Sequence, residues 1–335
     1  MSAPYPWLEP VWRQLTAWQG RPPGALLIAG PRGIGKLALA RAWAQALLCG
    51  AKEGAACGEC PSCRWFAEGT HPDFLFLTLE ERENQAGEVR LAQEIDVAQA
   101  RRVVDFVRLS SHQGGWRVVL VHPADALNRA ASNALLKVLE EGPINTVFML
   151  VSDAAHRLLA TLRSRCRRLD IGLPPRTAAL AWLEERGAQG VPLDWVGGAP
   201  LRAMACEEQG LNSLRQEVLG WLARPAELEP TAQAETYAAV GNEWWFELVY
   251  RWLLDLLACH LGVAPTRNPD FAADLGRLGG QAERAALLDL LAATAAEGRV
   301  LRHPLNAAAQ REAWLMRYRH MFGEKRPTRV ALATR

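Results

Sequence analysis

Two groups of residues are spaced for chemistry. The first lies in Ala25-Leu26-Leu27-Ile28-Ala29-Gly30-Pro31-Arg32-Gly33-Ile34-Gly35-Lys36-Leu37, an apolar run that breaks into glycines and then a lysine. Gly30, Gly33 and Gly35 can take the backbone angles that turn successive N–H groups inward. Lys36 follows where a β- or γ-phosphate would lie, completing the phosphate-cradling pattern G-x-x-x-x-G-K. The next position normally brings a Ser or Thr hydroxyl to Mg²⁺; here it is Leu37, whose side chain has no oxygen. A second metal-handling position is also altered, because the apolar run Val118–Val121 leads into His122-Pro123 where a hydrolysing P-loop protein has carboxylates. Asp125 lies past that strand end. Hydrolysis is therefore expected to be lost, while binding of ATP or ADP through the loop and Lys36 stays open.

The second group is Cys49, Cys57, Cys60 and Cys63, four of the seven cysteines of the chain, spaced C-x7-C-x2-C-x2-C. Two-residue gaps let neighbouring thiolates converge on one ion, and four thiolates complete the tetrahedral shell of structural zinc. An iron–sulfur cluster is the rival, since C-x2-C-x2-C also begins a ferredoxin pattern, but no cysteine followed by proline comes downstream. Cys166, Cys206 and Cys259 are scattered and read as core thiols.

Arg165, in Ser164-Arg165-Cys166, stands in a run with Arg163, Arg167 and Arg168. By itself such a run reads as a solvated basic face. An arginine at a domain edge can also enter a neighbouring subunit's nucleotide site and neutralise charge building on the γ-phosphate. The seven histidines show no H-E-x-x-H pairing, and no nucleophile-elbow turn is present. Trp244, Trp245 and Trp252 fall at helical spacing and read as packing.

The elements that would position these groups follow from periodicity. Helices are expected over Tyr5 to Gly20, Leu37 to Leu48, Ile95 to Leu109, Ala124 to Glu141 and Leu158 to Arg163. Buried strands are expected at the P-loop run, at Asp73–Leu77, Arg117–Val121 and Val147–Val151, and after Cys166, with Glu80 to Glu88 as a polar loop. This alternation over the first ~170 residues predicts a parallel sheet wrapped by helices. Beyond Pro174-Pro175, helices are expected at Thr177 to Arg186 and Leu201 to Gln209, around Gly197-Gly198. From Ser213 the pattern is helical throughout, ending in Asn306 to Phe322 and a basic tail, Lys325 to Arg335.

The chain has 335 residues, half of them hydrophobic and 22% charged, with a net charge of +2. That composition is globular, and near-neutral charge argues against a protein whose main work is coating DNA. Met1 to Pro10 lacks the features of a secretory signal. The most membrane-like run, Trp244 to Val263, carries Glu247, Arg251 and Asp255 at four-residue spacing, as in an amphipathic soluble helix. A cytoplasmic location with free thiols is the expectation, with no membrane partner.

Taken with the P-loop and the cysteines, Ser132-Asn133-Ala134-Leu135-Leu136-Lys137-Val138-Leu139-Glu140-Glu141 and Ser164-Arg165-Cys166 make the chain resemble the clamp-loader branch of the AAA+ proteins. Within that branch Tyr5-Pro6-Trp7, the altered Walker positions and Gly197-Gly198-Ala199-Pro200-Leu201 are similar to the delta-prime family of the bacterial DNA polymerase III holoenzyme rather than to the ATP-hydrolysing gamma/tau subunits. Likeness is weaker over the helical third, where His303-Pro304-Leu305-Asn306 is the main agreement.

The resemblance implies an α/β AAA+ P-loop module with a parallel sheet over 1–170, carrying a zinc insertion at 49–63. A small helical lid at 171–208 and an all-α collar at 209–335 would follow. It implies a ring shared with gamma/tau and delta that loads the sliding clamp on primed DNA. In that ring this chain would be a non-hydrolysing stator, with Arg165 completing a neighbour's ATP site. Cys49, Cys57, Cys60 and Cys63 match the family's zinc module, and Arg202 falls where the family's lid arginine meets nucleotide. Polymerase chemistry would belong to the complex, not to this chain. Two rivals stay open: an ATP-hydrolysing clamp-loader motor subunit, and a zinc-containing DNA-binding protein with a vestigial P-loop.

Overall fold

The computed structural model describes residues 3–51, 54–83, 89–112, 114–188, 190–236, 242–300 and 307–322. The chain divides into two compact units, Met1–Arg186 with Gly198–Arg202, and Gly187–Gly197 with Ala203–Arg335.

The first unit is built on five strands: β1 (Ala25–Ala29), β2 (Phe74–Leu77), β3 (Arg117–Val121), β4 (Thr146–Ser152) and β5 (Arg167–Asp170). They lie in the order β2-β3-β4-β1-β5, every neighbouring pair parallel. Every residue of β3 and β4 is buried, as expected of central strands covered on both faces. One face packs against α1 (Glu9–Ala17) and α2 (Lys36–Leu48) through Trp12, Leu39 and Trp43. The short α3 (Pro61–Ala67) follows the cysteine-bearing insertion. Through Val103, Leu135 and Leu162 the other face meets α4 (Val97–Arg108), α5 (Arg129–Glu141) and α6 (Ala160–Arg165). Last in this unit is α7 (Arg176–Glu184).

Several sequence expectations are corrected by local chemistry. The helix expected to run from Ala124 is divided: a single turn at Ala124–Ala126 ends, and α5 begins afresh where the Asn128 side chain accepts the Ala131 N–H at 2.9 Å. A helix expected over Leu158 to Arg163 instead starts at Ala160 and runs to Arg165, after a separate turn at Ala155–Arg157. Ser164 and Arg165 therefore sit in its last turn, where cations complement the carbonyl end. The N-terminal helix is preceded by a turn at Pro6–Leu8. Part of the expected polar loop pairs, Glu81–Glu83 running antiparallel to Val89–Leu91.

The second unit is helical: α8 (Pro200–Glu208, its first residues belonging to the first unit), α9 (Leu211–Leu222), α10 (Pro230–Thr236), α11 (Asn242–His260), α12 (Ala272–Gln281), α13 (Arg284–Val300) and α14 (Ala307–Met321). Aromatic side chains anchor its core, and three of their polar ends are hydrogen-bonded, whereas the buried ring N–H groups of Trp195, Trp244 and Trp245 meet no acceptor among the described residues. Trp252 Nε1 donates to Tyr318 Oη at 2.8 Å, Tyr318 donates to the Leu222 carbonyl at 2.9 Å, and Trp314 Nε1 donates to Thr294 Oγ1 at 2.8 Å. Among the described residues no helix is long and apolar enough to cross a membrane. Glu247, Arg251 and Asp255 recur at four-residue spacing along α11 but meet different surroundings. Glu247 and Arg251 pair at 2.6 Å, but Asp255 is fully buried and accepts the backbone N–H groups of Thr266, Arg267 and Asn268. His303 to Leu305, Asn306 and the Lys325 to Arg335 tail lie outside the described residues.

Candidate functional site

The loop between β1 and α2 has the backbone expected of it. Gly33 and Gly35 adopt φ of 81° and 93°, the left-handed region that a side chain disfavours. Space is closed there too. A Cβ on Gly33 would overlap the Arg202 side chain, and one on Gly35 would overlap the Tyr5 ring. Arg202 thus lies against the loop, and Leu201 N–H donates to the Gly33 carbonyl at 3.1 Å. Trp7 Nε1 donates to the Ile34 carbonyl at 2.9 Å, while Tyr5 and Trp7 stack at 5.2 Å with Trp182 edge-on to both.

Lys36 opens α2 and is buried. Its ammonium lies 2.5 Å from Asp153 Oδ1 and 2.5 Å from the Pro31 carbonyl. Asp153 was not anticipated. The P-loop pattern points to carboxylates after β3, whereas this one follows β4, and its signal in the sequence is an acidic residue directly after a fully buried strand. Asp125, past the end of β3, accepts the Ser152 hydroxyl at 2.6 Å and the Asp153 N–H at 3.1 Å. It is engaged in holding the end of β4. Leu37 packs against the apolar core. Burial holds the His122 imidazole below its ordinary pKa, with Asp153 opposing and Lys36 reinforcing, so the ring is neutral at pH 7.

The four cysteines converge. Their Sγ atoms all lie within 4.8 Å of one another, with Cys49 at 3.6 Å from Cys57 and 3.9 Å from Cys60, and Cys57 at 3.9 Å from Cys63. A tetrahedron with metal–sulfur bonds of about 2.3 Å has sulfur–sulfur edges of about 3.8 Å, so these thiols fit one tetrahedral ion. Backbone N–H groups of Cys57, Cys60 and Cys63 point at Cys49, Cys57 and Cys60 sulfurs at 3.3 to 3.4 Å. Burial alone would raise the Cys60 pKa, but N–H groups of Cys63 and Gly50 outweigh it and bring it to about 6. At Cys63 burial prevails and pushes the thiol up to about 12. The tetrad can hold a metal ion, consistent with structural zinc.

A relay supports it from behind. His71 Nδ1 accepts the Asp73 N–H at 3.0 Å, so Nε2 carries the proton and donates to Ser62 Oγ at 2.7 Å. Ser62 in turn donates to the Leu48 carbonyl at 2.5 Å. Ser62 precedes Cys63 and Leu48 precedes Cys49, so two ends of the insertion are tied together.

Arg165 stands apart from these groups, exposed on α6 and paired with Glu140 Oε1 of α5 at 2.9 Å. Beside it Cys166 donates to the Leu162 carbonyl at 3.3 Å, and burial raises its thiol to about 11, as for an inert core cysteine.

A family profile described as "DNA polymerase III, delta subunit" matches residues 11–174. The chain is 37% identical over 307 residues to the DNA polymerase III subunit delta' of Pseudomonas aeruginosa, covering 87% of this chain and 90% of that one. Against the subunit delta' of Escherichia coli K12 it is 35% identical, covering 79% and 80%. The subunit tau of Escherichia coli K12 is 33% identical over 148 residues, 44% of this chain and 21% of that one. A P-loop module on a five-stranded parallel sheet, a helical C-terminal part, and more than three quarters of its length shared with such proteins together make this chain a member of the DNA polymerase III subunit delta' family, within the clamp-loader group.

Proposed function

We propose that this chain is a catalytically silent clamp-loader subunit, a stator that lends Arg165 to the ATP site of a neighbouring subunit. The observation that carries this is the loop itself. Leu37 packs inward and a neutral His122 follows β3, where a hydrolysing site needs a hydroxyl and carboxylates to hold Mg²⁺. The second support is Arg165: an exposed ion pair such as that with Glu140 is worth about 0.2–1 kcal/mol, so a neighbour's phosphate can take the guanidinium over.

In this reading gamma/tau and delta are the ring partners, and the sliding clamp and primed DNA are met through the ring. The protein is cytoplasmic and the tetrad holds structural zinc. The chain is organised as the module at 1–170, the lid at 171–208 and the collar at 209–335. Arg202 belongs to the lid side of the loop, and occupancy of the loop depends on what engages Lys36.

Reconstitution with its partner subunits tests the central claim. Arg165→Ala should slow DNA-stimulated ATP hydrolysis by a large factor, on the order of 10³ at the site it completes, while the ring still assembles on a sizing column. An unchanged rate removes the trans role, and Mg²⁺-dependent turnover by the isolated chain, abolished by Lys36→Ala, overturns the silent-subunit reading.

A further inference from the structure

Lys36 is the group through which a P-loop grips a diphosphate, and in this chain its ammonium already has an anion. Only 3% of the Lys36 side chain is exposed, and Asp153 Oδ1 lies 2.5 Å from Nζ. The position of Asp153 is set from outside the loop. Register places Ala29 of β1 opposite Ser152 of β4, so the residues that follow both strands emerge at one sheet edge. Asp125 then takes both the Ser152 hydroxyl and the Asp153 N–H, which ties down the end of β4.

We infer that Asp153 is the residue that sets this loop against nucleotide: its carboxylate occupies the anion position of the P-loop and excludes the diphosphate group of ADP or ATP. A buried ammonium requires a counter-ion, and one carboxylate at contact distance supplies it. An incoming diphosphate must displace that carboxylate, which the tie to Asp125 keeps close by. The displaced charge then repels the phosphate oxygens across a few ångströms of partly water-excluded space. Leu37 and His122 bear on metal and hydrolysis; Asp153 bears on binding itself. This goes beyond the silent-subunit reading, which concerns turnover alone.

The test titrates the full chain calorimetrically with ADP and, separately, with inorganic pyrophosphate, both free of Mg²⁺, beside Asp153→Asn. Wild type should bind neither at millimolar ligand. Asp153→Asn, nearly equal in size, should bind both at least about tenfold more tightly than wild type, and adding Lys36→Met should remove the gain. Asp153→Ser serves in the same comparison if the asparagine variant does not fold. Affinity of Asp153→Asn no better than wild type overturns the inference, and so does a gain for ADP that pyrophosphate does not share. Mg²⁺-dependent turnover by Asp153→Asn supports it while refuting the argument that Leu37 and His122 abolish hydrolysis, and turnover by wild type refutes the silent-subunit reading itself, so the two fail separately.

Discussion

Cys63→Ser is expected to empty the tetrad. Structural zinc in small thiolate sites contributes roughly 10–16 kcal/mol of apparent binding free energy, about 2.5–4 kcal/mol for each of four ligands. Losing one sulfur should weaken the site by about 10²- to 10³-fold, since 1.4 kcal/mol is a factor of ten. Here the full share is at stake, because each thiol has a neighbour at 3.6 to 3.9 Å and all four sulfurs lie within 4.8 Å of one another, close to the edges of one tetrahedron. Zinc content by plasma emission and affinity by competition with a chromogenic chelator are the readouts. Wild type should carry one zinc per chain and the variant almost none at moderate chelator concentration. Cys166→Ser, which alters a thiol outside the tetrad, should keep the metal and serves as the control. Chelation of the wild type should lower its melting temperature as Cys63→Ser does, which separates loss of metal from loss of a packed sulfur. Cys63→Ser retaining zinc at wild-type affinity would refute the geometric argument, and visible colour with bound iron would replace zinc by the iron–sulfur alternative.

Tyr318→Phe should destabilise the helical unit by about 1–3 kcal/mol for each partner left unsatisfied, the Leu222 carbonyl and Trp252 Nε1, read as a lowered denaturant midpoint. A change under half a kilocalorie per mole would show that water reaches that core. Burial lowers the His71 pKa, with Asp73 opposing, so the folded chain binds this proton less readily than the unfolded one. Its neutral form therefore contributes stability fully above the unfolded value of about 6.5, lost as pH falls below that and through the folded pKa. His71→Gln should flatten the melting temperature between pH 7 and 5, and an unaltered slope would mean another group is responsible.

Much of the fold was legible because its signals are local. β3 and β4 carry the unbroken apolar runs Val118–Val121 and Val147–Val151, and glycine and lysine spacing announces the turn from β1 into α2. What escaped the pattern was decided by single polar side chains. The break between Ala126 and Arg129 lies inside a helical periodicity, yet Asn128 satisfies the first N–H groups of a new helix better than a continuous one could. Asp255 reads as one step of a charged stripe until the segment after α11 folds back and offers it three backbone N–H groups. Burial of that carboxylate then follows from its being fully hydrogen-bonded.

By itself the sequence determined the glycine-rich loop, the absence of a hydroxyl at Leu37 and of carboxylates at His122-Pro123, and the four cysteines. Each is a matter of residue type at short spacing. Only the tertiary structure decided which charges meet. Lys36 and Asp153 are 117 positions apart, and Arg165 and Glu140 are 25 apart, distances over which no local pattern carries information. They meet because parallel pairing of β1 with β4 brings two strand ends to one edge, and because α5 and α6 cover the same face of the sheet.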